Sequence, residues 1–433
     1  MKRMIMFLIL ISGFIFSQDL VYIEPKEVKQ IDYKVEIKET GAIRVELKGS
    51  QYIITSEFSI PEGIWARLDK DRIENLKNVK IEKDKIKGET EYYEIERSIK
   101  RHKECIEVID KIKNKKDELI PVMIRHKVEI PDAKEHYLGG LRIYLKRGVS
   151  NEPANPTTIV ITETGSIGLL PLSDVFRVHV QNFVSGSIYG IGDNELVIRP
   201  NTEYTARWAI FVREDKDYFS IINAIRRFFD SNFTIYGSGV TFTNRGKEQK
   251  VSESWLNQFK PPVFVNIDMT IDELKQYFNY KNAYFIIFHA IGTEGHNFEQ
   301  FLNADPEPTK ELIKKIKEVK PDVKVLPYFH CFIETSKNAK EKYKDAITLL
   351  PDGTQADYGE PIYPIFFPTL ENSFGKDQEK EIELLIDKFG FDGIYWDEFE
   401  YSRVKYHYGQ PHDGYSADID PKTFKITRLK SSV

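Results

Sequence analysis

Two carboxylates, Asp397 and Glu398, follow directly on three large β-forming residues, Ile394, Tyr395 and Trp396. A helix-like run over 380–389 precedes them, and Gly390, Phe391, Asp392 and Gly393 supply a turn between the two. A short apolar run after a turn suits a buried parallel strand. Parallel sheets and barrels gather their chemistry at the carboxyl ends of such strands. A carboxylate in that place can serve as a nucleophile or as a general acid or base. The competing reading of the same residues is a helix cap or a loop salt bridge. If strand geometry persists, Glu398 turns to the side opposite Asp397. It is then a supporting residue, or the reactive carboxylate if the register is off by one, and Glu400 is a weaker candidate still.

The elements that would position these residues recur upstream. Apolar runs over 263–267, 283–288 and 323–329 read as strands, each delivering a polar residue at its end: Asp268, His289 and His330. Helical patterns over 270–280, 309–319 and 377–389 separate them, the first opened by a capping box of Thr270 and Glu273. This β-α-β-α-β-α-β order, without a glycine-rich phosphate loop, fits a (β/α) barrel better than a doubly wound sheet. Only 433 − 398 = 35 residues follow Glu398, whereas a complete barrel takes about 250. The expectation is therefore a TIM-type barrel truncated after about four strands. A long insert over 334–375 and a loop rich in Tyr401, Arg403, Tyr406, His407 and Tyr408 would shape a pocket at the strand ends. His289, Glu294 and His296 are close in sequence, but no HExxH or paired CxxC pattern accompanies them, so no metal or other cofactor is expected.

The first half has a different texture. Short segments rich in β-branched and aromatic residues fill 19–212, separated by turn signals such as Gly139-Gly140 and Gly192-Asp193-Asn194. Many short strands without long helices predict a β-sandwich. The charged stretch 100–116 fits either a helical insertion or a pair of exposed strands. An amphipathic helix over 216–229 reads as a connector. The expected division is thus a signal segment over 1–17, a sandwich over 18–215, a connector and linker over 216–258, and half a barrel over 259–433.

Lys2 and Arg3 followed by an apolar run over 4–16 make a secretory signal too short to span a bilayer. This predicts a secreted or periplasmic protein with no stable membrane anchor after signal removal. Without Lys2 and Arg3 the count is 60 basic against 67 acidic residues, a net charge of −7, and nucleic acid is not an expected partner. The two cysteines, Cys105 and Cys331, read as free thiols, since nothing in the sequence brings them together.

The layout, together with Asp392-Gly393-Ile394-Tyr395-Trp396-Asp397, resembles retaining α-glycosidases with an N-terminal β-supersandwich, the group around glycoside hydrolase families 31, 36, 97 and 101. In families 31, 36 and 101 the nucleophile is an Asp at the end of barrel strand four, within a pattern like D-G-hydrophobic-hydrophobic-x-D. The resemblance covers most of the chain as architecture and about ten residues as motif. It implies an oligo- or polysaccharide substrate and a retaining mechanism with Asp397 as nucleophile, with the general acid past Val433. Asp268, His289, His330, Trp396, Tyr401 and Arg403 would be sugar-binding residues. The DxxDxDxE pattern of family 18 fails at Tyr395 and Phe399, and the Asn-Glu of clan A is also absent. The alternatives are a non-catalytic carbohydrate-binding or cell-surface protein on the same scaffold, and a structural protein led by its sandwich.

Overall fold

The computed structural model describes residues 31–231, 269–288, 302–359, 363–397 and 403–433. The chain divides into two compact units, one of Glu27–Phe233 with Tyr406–Ser432, the other chiefly Thr234–Lys405. The described residues are mostly sheet, with few helices. None of those helices is long and apolar enough to cross a membrane.

The first unit is built on two nine-stranded antiparallel sheets. In one, the strands Ser50–Ile60, Ile124–Glu129, Ile188–Asp193, Val180–Ser185 and Arg147–Ser150 lie side by side. In the other, Thr158–Ile161, Ser166–Pro171, Glu203–Arg213, Ile106–Asn114 and Tyr93–Arg101 do the same. Alternation along each strand sends every second side chain inward. Ile54, Phe58, Ile124 and Ile191 of the first sheet join one apolar core with Ile95, Val108, Ile112 and Trp208 of the second. The undecided stretch 100–116 belongs to a hairpin, Tyr93–Arg101 against Ile106–Asn114, with Arg97 directly opposite Asp110.

That register places an ion pair inside the core. Arg97 and Asp110 are both wholly buried, joined by two hydrogen bonds of 2.7 and 2.8 Å. Trp208 Nε1 donates to the same carboxylate at 3.0 Å. The His126 ring stacks on Trp208 with centroids 4.0 Å apart, and its Nδ1 lies 2.9 Å from Ser56 Oγ. Burial acts to raise the Asp110 pKa, but Arg97 and the hydrogen bonds outweigh it and hold the carboxyl below its usual range.

Two expectations are corrected in this unit. The helix Tyr218–Phe228, capped by Asp217 accepting from Ser220 N–H at 2.9 Å, is no free connector. Its Ile221 and Ala224 pack into a cluster with Ile159, Leu170, Ala209 and Phe211 of the second sheet. The stretch 406–432, expected in the barrel half, folds as three antiparallel strands within the sandwich unit. Val197 N–H donates to Tyr415 O at 2.9 Å and Ala417 N–H to Glu195 O at 2.8 Å. Buried Lys430 reaches Glu195 and Asp418, each at 2.7 Å. Main-chain pairing and a buried cation that needs both carboxylates hold the tail there.

In the second unit, Thr270 and Glu273 form the expected capping box at the start of the helix Ile271–Lys281. The strands Phe285–Phe288, Lys324–His330 and Tyr395–Asp397 form one sheet in chain order, paired in parallel. The helices Glu307–Val319 and Ser373–Asp387 precede the second and third strands. Leu274, Phe278, Ile286, Ile316, Val325, Phe329, Leu385 and Phe389 form their common core. The expected strand over 263–267 lies outside the described residues. Three parallel strands are what the described residues contain, and a closed barrel is not formed by them. Helix Ser373–Asp387 starts earlier than expected because Asn372 caps it, accepting from Gly375 N–H at 2.8 Å.

Candidate active site at the parallel strand ends

Register brings two of the singled-out residues together. His330 and Asp397 are direct partners at the carboxyl ends of the second and third parallel strands. One pair earlier, Phe329 stands opposite Trp396, and before that Tyr328 stands opposite Tyr395. A period of two therefore puts Tyr328, Tyr395, His330 and Asp397 on one face and Phe329 and Trp396 on the other. Trp396 packs edge-on against Phe329, with centroids 5.6 Å apart, and joins the apolar core. It does not share the face that carries Asp397.

Hydrogen bonds hold Asp397 and His330 on that face. The Tyr328 hydroxyl donates to Asp397 Oδ2. Cys331 Sγ donates to the Asp397 main-chain oxygen at 3.0 Å. His330 Nδ1 accepts from the N–H groups of Phe332 and Ile333 at 3.1 and 3.2 Å, which leaves the ring proton on Nε2. Burial drives the His330 pKa down to about 4, against the pull of the nearby Asp397 carboxylate. At neutral pH this imidazole is an uncharged N–H donor.

The loops beyond the strands add a second layer. The Tyr358 ring stands edge-on to His330 with centroids 5.5 Å apart. Arg403 donates to the Tyr358 carbonyl oxygen. Gln378, from helix Ser373–Asp387, donates to Cys331 O at 2.7 Å and fixes the chain just past His330. The insert also holds a pocket of about 470 Å³, lined by Glu334, Ser336, Gln355 and Asp357 among others.

The first acid of the motif has a different task from the last. Asp392 Oδ1 takes Lys317 Nζ at 2.6 Å and its Oδ2 accepts from Val325 N–H at 2.8 Å. Burial would raise its pKa, but these partners hold it below the usual carboxylate range. Asp392 thus ties the start of the third strand to the second strand and to helix Glu307–Val319. In helix Ser373–Asp387, Glu381 is almost fully buried. Desolvation, then the charges of Glu334 and Asp377, push its pKa well above the ordinary 4.5, with Lys342 opposing them.

Asp268, His289, Glu398 and Tyr401 lie outside the described residues, as do Glu294 and His296. Sequence reasoning passed over Tyr328, Gln378 and Glu381. For Tyr328 the signal was present: it stands two residues before His330, on the same face of the strand. Among the described residues no group of three or more His, Cys, Asp or Glu is placed to hold a metal ion.

No protein-family model and no curated protein matches the chain by sequence. Several solved structures resemble it in fold. A family 36 α-galactosidase, AgaA from Geobacillus stearothermophilus, solved with stachyose, aligns with TM-score 0.46 and 10% identity over 84% of this chain and 54% of its own. The α-N-acetylgalactosaminidase NagBb from Bifidobacterium bifidum aligns with TM-score 0.47 and 10% identity over 86% of this chain and 70% of its own. The galactosidase domain of the α-galactosidase-sucrose kinase AgaSK aligns with TM-score 0.47 and 11% identity over 84% and 54%. The chain spans about half the length of AgaA and of the AgaSK chain.

Proposed function

We infer that the protein is an exported glycoside hydrolase of retaining type, acting on an α-linked glycoside with Asp397 as the nucleophile. The observation that carries this reading is the strand-end pair. Asp397 is held by the Tyr328 hydroxyl and stands beside the uncharged His330 at the carboxyl ends of adjacent parallel strands. In the reaction, the Asp397 carboxylate attacks the anomeric carbon while the bond to the leaving oxygen breaks and that oxygen takes a proton from a second carboxyl group. Water then hydrolyses the glycosyl ester. Such a pair of carboxyl groups stands about 5 Å apart in a retaining enzyme. The hydrogen bond from Tyr328 orients the nucleophile.

The test is turnover of aryl α-glycosides by the protein. Asp397→Asn keeps the shape and removes the nucleophilic charge, so the rate should fall by at least about a thousandfold with sugar binding retained. A fluorosugar should label Asp397 covalently. Binding of the sugar without turnover in the unaltered protein would favour the non-catalytic reading. A label on Glu398, with Asp397→Asn still active, would mean that the neighbouring carboxylate is the nucleophile.

A further inference from the structure

The sandwich unit carries a groove that takes no part in the strand-end site. It has a volume of about 450 Å³ and lies on the outer face of the sheet that contains Ser50–Ile60, Ile124–Glu129, Ile188–Asp193, Val180–Ser185 and Arg147–Ser150. Register decides which side chains share it. Arg125 stands between Glu57 and Gly192, and Gly192 is followed across the sheet by Gln181. Two residues along, Lys127 stands beside Gly190, followed by Phe183 and Val149. Arg147 pairs with Ser185 at the end of the groove. The alternate residues Ile124, His126, Val128 and Ile191 point into the core.

The middle strand has no side chains on this face where Gly190 and Gly192 occur. A Cβ at Gly190 would meet Phe183 Cζ at 2.4 Å and the His126 carbonyl oxygen at 2.4 Å. The phenyl ring therefore lies across the glycine and makes a flat apolar floor. Three cations, Arg125, Lys127 and Arg147, surround it with one carboxylate, Glu57. Glu57 is already taken by Lys127 at 2.6 Å and by Arg67 at 3.2 Å. Arg125 is half-buried and makes no hydrogen bond or ion pair among the described residues. Its guanidinium carbon lies 4.5 Å from the centroid of the Trp65 ring. Burial holds the Arg125 pKa below its ordinary 12.5, with Glu57 pulling the other way. Glu57 is shared with Lys127 and Arg67, so this partly desolvated cation has no ion pair of its own, and an anionic ligand would supply one.

We propose that this groove is a second saccharide site, which takes a pyranose bearing an anionic substituent, a carboxylate or a sulfate. The apolar face of the sugar lies on Phe183, as aromatic floors favour. The oxyanion meets the guanidinium fork of Arg125, which suits planar and tetrahedral oxyanions alike, and Arg147 adds a second cation at the exposed rim. None of the residues that line this groove belongs to the strand-end site.

Calorimetric titration of the full chain tests it, with an oligogalacturonate, a sulfated oligosaccharide, a neutral oligosaccharide of equal length and inorganic sulfate as probes. At least one anionic saccharide should bind more tightly than the neutral one, and which of the two does so identifies the substituent. Arg125→Gln and Phe183→Ala should each weaken that binding by about tenfold or more, and Arg147→Gln by about threefold. Arg147 is exposed, so its effect cannot be a failure to fold. Asp397→Asn should leave the affinity unchanged, so this site and the strand-end reading fail separately. The proposal is overturned if neither anionic saccharide binds better than the neutral one, or if Arg125→Gln and Arg147→Gln both leave the affinity unchanged. It is equally overturned if inorganic sulfate binds as tightly as the saccharides and Phe183→Ala has no effect, since the groove would then be a plain anion site.

Discussion

Two buried histidines, one in each unit, are both held below the ordinary histidine pKa, in different surroundings. Burial drives His126 in the sandwich down to about 3, against Asp110, and drives His330 at the strand end down to about 4, against Asp397. The His126 ring is closed in by Trp208, Phe58 and Phe176, with Ser56 on its Nδ1. His330 is anchored by two backbone N–H groups on one side of the ring and stands beside a half-exposed carboxylate. A depressed histidine pKa thus marks burial, and chemistry has to be argued from what the ring faces. The carboxylates differ in the same way. Asp110 is wholly buried and saturated by Arg97 and Trp208. Glu381 is buried among other carboxylates and resists ionisation.

The largest effect should come from breaking the saturated pair. Arg97→Leu leaves Asp110 as an uncompensated charge in the sandwich core and should cost about 3–5 kcal/mol in urea unfolding. Replacing both partners by Leu should recover most of that loss. If the double variant is as unstable as the single one, packing around Arg97 rather than its charge accounts for the loss.

The two regions should also part company in their response to pH. Both histidines have folded pKa values below the ordinary 6.5, so the unfolded chain takes up protons that the fold refuses. Stability contributed by His126 should fall as pH drops from about 6.5 toward about 3, and that from His330 as it drops toward about 4. Glu381 has the opposite sign. Its folded pKa is raised, so its contribution is complete below 4.5 and is lost as pH rises through the folded value. Glu381→Gln should therefore stabilise the protein more above neutrality than below pH 4.5, as read by urea unfolding at the two pH values. Equal effects at both pH values would show that Glu381 is not held protonated in the fold.

The sequence makes regular elements easier to read than their partners. The capping box of Thr270 and Glu273 and the strands ending at His330 and Asp397 are local patterns, and they are present where the periodicity puts them. The tail was misassigned because its attachment runs through long-range main-chain bonds such as Ala417 N–H to Glu195 O, which no local pattern encodes. Arg97 and Asp110 occupy inward positions of a hairpin, yet charged residues at alternate positions ordinarily read as the solvent face. Helix Tyr218–Phe228 showed its apolar stripe but not the sheet that receives it. Of the site, the strand-end residues His330 and Asp397 were legible, whereas Gln378 was not, because it reaches Cys331 O from a different helix.

The smallest effect is the finest test of the comparison. Trp208 Nε1 and the Tyr328 hydroxyl each donate one hydrogen bond to a carboxylate, Asp110 in the sandwich and Asp397 at the strand end. Trp208→Phe removes a bond that water cannot replace, because Asp110 is wholly buried, and it also leaves space beside His126. It should cost about 1–3 kcal/mol for the lost bond alone. Tyr328→Phe keeps the ring, and Asp397 is exposed enough for water to take the place of the hydroxyl. Its cost in stability should stay below about 1 kcal/mol. If Asp397 is a nucleophile, the loss should fall on turnover instead, about tenfold in the rate constant with little change in sugar affinity. A stability loss from Tyr328→Phe as large as that from Trp208→Phe would place Asp397 with Asp110 as a structural carboxylate, and the contrast between the two regions would not hold.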